Sequence, residues 1–261
     1  MSQGYTVAHL YSSSLKDLKI NPPIFDEQQK IASFLGAIDE WAENLKEQKE
    51  NLELYKKGMM QKIFSQEIRF KDINTLSFNK WQEIKLGDLF KERIERNEGQ
   101  KIDLLSITLE EGVSRQDSSI KRDSSSSDKS NYKIVHVGDI AYNTMRMWQG
   151  AFGVSKYFGI TSPAYTIVFL KSGCIDFFGY LFKCTRTIFD FYRYSQGLTS
   201  DTWNLKYYHF SKLTARIPIE IKEQQKITDF LTSLDKGIES KQQQISQAEQ
   251  WKKGLMQRLF I

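Results

Sequence analysis

Two cysteines, three histidines and four prolines are all that 261 residues contain of the types that staple, ligate or punctuate a chain. Cys174 and Cys184 lie ten apart without a Cys-x-x-Cys pair, and His9, His136 and His209 are scattered, so no metal site is expected. The two thiols read as ordinary core or surface residues. No apolar run approaches the ~20 residues that span a bilayer, and the N-terminus lacks the basic-then-apolar order of a secretory signal. A soluble, cytoplasmic chain without a membrane partner is the expectation, and 40% hydrophobic residues suffice for a core.

Net charge is also scarce, at +5, but it is unevenly placed. From Phe78 to Ile217 there are 20 Lys/Arg against 15 Asp/Glu, which leaves 17 against 17 elsewhere (37 − 20 and 32 − 15). All of the excess sits in the middle, as an electrostatic footprint for phosphates requires, although charge alone does not select nucleic acid.

What is present in abundance is self-similarity. Pro22 to Phe64 aligns without a gap on Pro218 to Phe260 at a shift of 196 residues, with 18 of 43 positions identical, among them Glu27-Gln28-Gln29-Lys30-Ile31 and Glu223-Gln224-Gln225-Lys226-Ile227. A shorter echo lies upstream, where Ser2-Gln3-Gly4-Tyr5-Thr6 matches Ser195-Gln196-Gly197-Leu198-Thr199. The opening residues therefore read as the tail of a domain whose complete version fills the centre.

Each copy reads as one long helix. Asp26 can cap the first, with Gln29 at the capping-box position and Pro22 and Pro23 outside. Ile31, Phe34, Ile38, Trp41, Leu45, Leu52, Tyr55 and Met59 follow three- and four-residue steps, interrupted only by Gln48, which predicts a coiled-coil seam and hence a partner helix. In the second copy the seam runs through Ile227, Phe230 and Leu234, weakens, and resumes at Ala248, Trp251 and Leu255; Ile238 and Ile245 lie one position further on, so the stripe can drift. Forty-odd helical residues extend ~60 Å, which suits a spacer. Gly58 and Gly254 sit at matching sites although glycine costs a helix interior ~1 kcal/mol. Close approach of another backbone and a local kink are equal explanations.

Between the copies, strand-like segments in "DLLSITL", "YKIVHV", "DIAYNTM", "AFGVSKY" and "AYTIVFL" follow an opening "WQEIKLGDLF", and "FFGYLFKCTRTIFDFYRY" predicts a helix. The serine-rich stretch from Arg115 to Lys133 suits a solvated loop whose basic residues Arg115, Lys121, Arg122, Lys129 and Lys133 could meet phosphates. Two clusters hold side chains able to read base edges: Asn143, Thr144, Arg146, Trp148 and Gln149, and Gln196, Thr199, Ser200, Thr202, Trp203 and Asn204. Trp148 and Trp203 could equally be buried anchors.

The repeated block of proline, "EQQKI", long helix and "KKG(M/L)MQ" resembles the two conserved regions of type I restriction-modification specificity subunits, and "VGDIAYNTMRMWQG" and "GITSPAY" look like the scaffold of that family's target recognition domain. The resemblance implies an α+β chain: a remnant tail of a preceding recognition domain (1–21), a first long helix (22–70), a mixed α/β target recognition domain (71–217) and a second long helix (218–261), the helices forming an antiparallel coiled coil. It further implies a non-catalytic subunit that binds no cofactor. S-adenosylmethionine and ATP belong to the methyltransferase and restriction partner subunits, and double-stranded DNA is the ligand. Because one recognition domain is absent apart from its tail, the resemblance fits a half-length form acting as a homodimer on a palindromic bipartite site. A silent or partial cassette without activity alone is the alternative.

Two rivals remain. Asn21 to Phe25 ("NPPIF") resembles the Asn-Pro-Pro-aromatic loop of amino-methyltransferases, but Ile24 stands where the aromatic belongs, no glycine-rich turn follows a strand, and the other repeat reads "RIPIE". Helix-preceding prolines explain it better. A coiled-coil scaffold that binds only proteins predicts no salt-sensitive DNA affinity.

Overall fold

The computed structural model describes residues 21–71, 78–116, 128–199 and 202–259. In chain order the elements are α1 (Phe25–Phe64), β1 (Gln82–Lys85), the single-turn α2 (Leu86–Leu89), β2 (Phe90–Glu92), β3 (Leu105–Thr108), β4 (Gly112–Arg115), β5 (Lys133–Val135), β6 (Ile140–Asn143), a 3-10 turn (Met147–Gln149), β7 (Phe152–Val154), β8 (Gly159–Thr161), β9 (Tyr165–Leu170), α3 (Ile175–Leu181), α4 (Thr185–Tyr194), the single-turn α5 (Tyr207–Phe210), β10 (Thr214–Ile217) and α6 (Ile221–Leu259). The fold is α+β with two long helices, as the sequence implied. The chain divides into two compact units, Leu52–Gly237 and, among the described residues, 21–51 with 238–259.

In the Leu52–Gly237 unit a four-stranded antiparallel sheet runs in the order β2-β9-β6-β7. Its central strand β6 shows no in-out alternation of polarity, because both faces are covered. Ile140 and Tyr142 point into a large aromatic core, while Ala141 joins Leu105, Ile107, Val113, Val135 and Ile167 in a second one. The pairing of Gln82 to Lys85 with Thr214 to Ile217 brings the start and end of the central domain together.

The expected single helix at Phe177 to Tyr194 is two, broken at residues 182–184. The reason is geometric. Phe182 and Phe191 are nine residues apart, half a turn out of phase at 3.6 residues per turn, so a straight helix would point them to opposite sides. The break turns both inward, fully buried, with ring centroids 5.3 Å apart.

The end of α1 and the start of α6 pack on this core through Met59, Met60, Ile63, Ile227 and Leu231. Polar contacts fix the join. Arg69 Nε and Nη2 donate to Glu223 at 2.9–3.2 Å, the Gln224 Oε1 accepts the Cys174 amide at 2.9 Å, and Lys56 pairs with Asp235, which also accepts the Tyr180 hydroxyl at 2.6 Å. Burial together with donation to Asp235 pushes the Tyr180 phenol well up, so it remains a donor. Leu52 lies beside Gly237 and Lys56 beside Asp235, so the helices run antiparallel here.

In the other unit Ile38, Ala42 and Leu45 of α1 and Ile245 and Ala248 of α6 are buried. Lys252 pairs with Asp39 at 2.6 Å and Lys46 with Glu249 at 3.3 Å. Asp39 and Lys252 are the repeat counterparts of Asp235 and Lys56 at the 196-residue shift, so both units use one ion pair with the helices exchanging roles.

Of the expected seam, Ile38 and Leu45 are buried and Ile31, Leu52 and Met59 are half-buried, whereas Phe34, Trp41, Tyr55 and Trp251 remain close to half exposed. The second row of the seam falls instead on Leu35, Ala42, Lys49, Lys56 and Ile63. On α6 the stripe passes through Ile227, Leu231, Leu234, Ile238, Ile245, Ala248 and Leu255, with Phe230 partly buried against the core. The drift through Ile238 and Ile245 is therefore real.

Gly58 and Gly254 lie in unbroken helix, and a Cβ at either would meet nothing within 4 Å. No close approach among the described residues accounts for them, and neither glycine ends its helix. Gly58→Ala and Gly254→Ala are each expected to stabilise the isolated chain by about 1 kcal/mol, read from the urea midpoint. A lower midpoint would mean that the glycines relieve strain in the helix itself.

Candidate nucleic-acid interface

The two polar and aromatic segments, some fifty residues apart in sequence, meet on one wall of the Leu52–Gly237 unit. Trp148 lies edge-on to Trp203 (5.5 Å, 76°) and to Tyr192 of α4 (6.3 Å, 62°), and Tyr192 meets Trp203 at 5.0 Å. Edge-to-face contact pairs the positive rim of each ring with the negative face of the next. The Leu205 amide donates to the Thr144 carbonyl at 2.8 Å, and Trp148 Nε1 donates to the Met145 carbonyl at 2.9 Å. Both tryptophans are half-buried anchors that join the segments.

The first segment is a tight turn after β6. Asn143 Oδ1 accepts the Met145 amide, and Thr144 Oγ1 donates to the Ala164 carbonyl, each at 3.0 Å. Gly150 closes the 3-10 turn at φ 95°, a left-handed conformation that favours glycine, with Ile188 against it. Asn143 and Thr144 thus build the turn. Arg146 and Gln149 project from it, exposed and without a side-chain partner among the described residues.

The second segment is a hairpin. Gln196 and Asn204 exchange backbone hydrogen bonds at 2.9 Å, Asn204 Nδ2 donates to the carbonyls of Gln196 and Thr202, and Thr202 Oγ1 bonds to the carbonyl and amide of Thr199. Gly197 makes the closure possible: a Cβ there would stand 2.6–2.7 Å from Thr202 and Trp203 backbone atoms. Asn204, Thr199 and Thr202 are occupied in holding the shape, and the Gln196 side chain is exposed with one long contact, 3.5 Å to the Tyr194 carbonyl.

The basic residues are differently employed. Arg115 lies 3.6 Å from Asp103 and over the Tyr157 ring, while Lys133 donates to the Tyr165 carbonyl at 2.8 Å and lies 3.7 Å from Glu92. Lys129 offers its carbonyl to Asn97 and has a further interaction. Lys121, Arg122 and Ser200 lie outside the described residues. Sequence reasoning missed Met145, Phe189, Tyr192 and Leu198, all exposed on these segments or on α4. The inward spacing of Ile188 and Phe191 was the available signal for Phe189 and Tyr192, since it leaves their side of the helix outside.

Among the described residues no group of three or more metal-ligating side chains lies together, and no helix is long and apolar enough to cross a membrane. Burial pushes the Cys184 thiol up to about 12, which leaves it unreactive at neutral pH. The wall offers amide, guanidinium, hydroxyl and aromatic groups on short, braced loops. That is equipment for recognition.

A family model described as type I restriction modification DNA specificity domain matches residues 1–54 and 79–250. The fold is similar to that of the S subunit of a type I restriction-modification system from M. genitalium (16% identity, TM-score 0.56, covering 91% of this chain and 61% of that one). It is also similar to the HsdS subunit from Thermoanaerobacter tengcongensis (11%, 0.55, 92% and 59%). A chain from a structure of the assembly and conformational transition of the type I R-M system matches as well (12%, 0.52, 91% and 60%). The chain spans about three fifths of the length of each of these structures.

Proposed function

We propose that this chain, which belongs to the type I restriction-modification DNA specificity domain family, is the sequence-reading part of a methyltransferase and restriction complex and catalyses nothing itself. The observation that carries this is the meeting of the two segments through Trp148 and Trp203, on braced loops that leave Arg146, Gln149 and Gln196 exposed. Arginine pairs bidentately with guanine and glutamine with adenine in the major groove. In the finer proposal the chain works in the cytoplasm and binds double-stranded DNA. A methyltransferase subunit brings S-adenosylmethionine and methylates adenine, and a restriction subunit brings ATP.

Two copies would give a palindromic bipartite target. What supports self-association is the exposed aromatic edge of Phe34 and Trp41 on α1, beside Trp251 at 5.9 Å from Phe34. At 100° per residue, Asp39 and Lys46 with their ion pairs fall on the other flank of Ile38, so one edge is closed by charge and the other is left apolar.

Co-expression with the cognate methyltransferase subunit, followed by mapping of methyladenine in host DNA, tests the proposal. A palindromic bipartite motif is expected. An asymmetric motif would replace the homodimer by a pairing with a different recognition domain, and an unmodified genome with the complex present would sink the function. Arg146→Ala and Gln149→Ala are each expected to weaken specific binding by about tenfold, leaving competition by non-specific DNA nearly unchanged. Equal discrimination by the variants in that competition assay would move the reading surface elsewhere.

A further inference from the structure

Ile188 and Phe191 of α4 pack on the aromatic core, which leaves Arg186, Phe189 and Arg193 outside, all three exposed. At about 100° per residue these three form one stripe, with Tyr192 on one flank and Asp190 on the other. Phe189 stacks on Tyr192 (6.1 Å, 25°), and Tyr192 meets Trp203 and Trp148 edge-on. An unbroken run of ring contacts therefore joins the stripe to the two segments that carry Arg146 and Gln196. The Arg193 guanidinium lies over the Phe189 ring, 6.0 Å from its centroid. A stacked guanidinium is held in one plane while its in-plane N–H donors stay free to meet a planar or tetrahedral anion bidentately.

Charge supplies an independent observation. Arg93 is held by Asp139 and Glu95, Arg115 lies beside Asp103 and Lys133 beside Glu92, so these cations already have carboxylate partners. Arg186 and Arg193 form no ion pair among the described residues, not even with Asp190, which lies between them in sequence. Seven residues separate them, ~10.5 Å along the helix axis, which is about the rise of three nucleotides of one DNA strand. That spacing is too wide for one shared phosphate and suits two phosphates of a single strand.

We infer that the outward face of α4 is a clamp for the DNA backbone: Arg186 and Arg193 each hold one phosphate, with Phe189 seating the Arg193 guanidinium. This rests on the DNA-reading function proposed above. Phosphate contacts fix orientation and register, whereas base contacts select sequence. Through Tyr192 and the two tryptophans, a strand gripped by α4 is held in a fixed place relative to Arg146, Gln149 and Gln196. Arg186, Phe189 and Arg193 are positioning residues, and the phosphate contacts expected of Arg115 and Lys133 fall to α4 instead.

The test uses the full chain co-purified with its methyltransferase subunit, a duplex that the wild type selects from a random pool, and a scrambled duplex of the same composition. Affinity for both is followed as salt is raised. Arg186→Gln and Arg193→Gln are each expected to make the slope of log affinity against log salt shallower by about 1, and together by about 2. Each should weaken binding about fivefold at ~0.15 M salt, equally for the two duplexes. Arg193→Lys keeps the charge and should keep the slope. Neutral methylphosphonates placed singly along the selected duplex should locate two sensitive phosphates on one strand, with Arg193→Gln indifferent to one and Arg186→Gln to the other. Unchanged slopes in both glutamine variants would overturn the clamp while leaving DNA reading intact. A changed ratio between the two duplexes would overturn it too, by making α4 a reader of bases. A wild type that selects no motif and shows no salt dependence would remove the DNA-reading function and the clamp with it. Both arginines are exposed, so unchanged melting of the variants serves as the control for folding.

Discussion

Arg69→Ala is expected to lower the unfolding free energy of the Leu52–Gly237 unit by about 3–5 kcal/mol, the usual cost of stranding one member of a buried ion pair. Glu223 is the stranded partner. Its side chain is 1% exposed, and three hydrogen bonds from Arg69 Nε and Nη2 reach its two oxygens. Arg69 Nη2 also donates to the Asn79 carbonyl at 2.8 Å, so the guanidinium ties the segment after α1 to the first turn of α6. After truncation the carboxylate would keep only the favourable field of the helix N-terminus, worth at most ~2 kcal/mol. Urea unfolding followed by tryptophan fluorescence gives the measurement, with Trp81 buried in the same core. Glu223→Gln placed in the Arg69→Ala background should recover a good part of the loss by removing the charge. A midpoint shift equivalent to less than about 1 kcal/mol would show that the pair is no more than a surface contact.

That pair marks a limit of what sequence can reveal. Glu27 and Glu223 begin identical five-residue motifs, yet Glu27 is exposed and Glu223 is among the most buried charges in the chain. Burial here depends on a partner 154 residues away in sequence, which no local pattern encodes. The presence of two long helices, by contrast, was legible, because hydrophobic periodicity is a local property and the internal repeat supplied it twice. So was the α+β class.

The seam shows the intermediate case. Positions Ile31, Ile38, Leu45, Leu52 and Met59, seven apart, belong to it on either assignment. The second row could lie three residues on (Phe34, Trp41, Tyr55) or four (Leu35, Ala42, Lys49, Lys56), and hydrophobicity favours the first. Packing selects the second. Ala42 is small enough for close helix approach, and Lys56 lays its stem in the seam while its ammonium reaches Asp235. In the candidate interface the two segments were legible as chemistry, but the sequence could not divide them into residues that build loops, such as Asn143 and Asn204, and residues that project, such as Arg146 and Gln149. That division follows from hydrogen bonds formed only on folding.

Ile38→Asp combined with Leu45→Asp is expected to open the helical pair of residues 21–51 and 238–259 completely. The two side chains are 4% and 3% exposed, and an unpaired carboxylate in such a seam costs several kcal/mol after relaxation. A two-helix pair has no second core to fall back on. The Leu52–Gly237 unit does: Phe178, Phe182, Phe191 and Phe210 form their own fully buried cluster, so its near-ultraviolet signal should survive while far-ultraviolet helicity falls. Phe34→Asp with Trp41→Asp supplies the contrast. Those rings lie on the exposed edge, so helicity should be kept while any particle heavier than one chain disappears from light scattering. If the seam variant retained the wild-type particle mass, self-association would have to run through the Leu52–Gly237 unit. If the edge variant retained it, the aromatic edge would be left for the methyltransferase subunit, and loss of co-purification with that subunit would then be the result to expect.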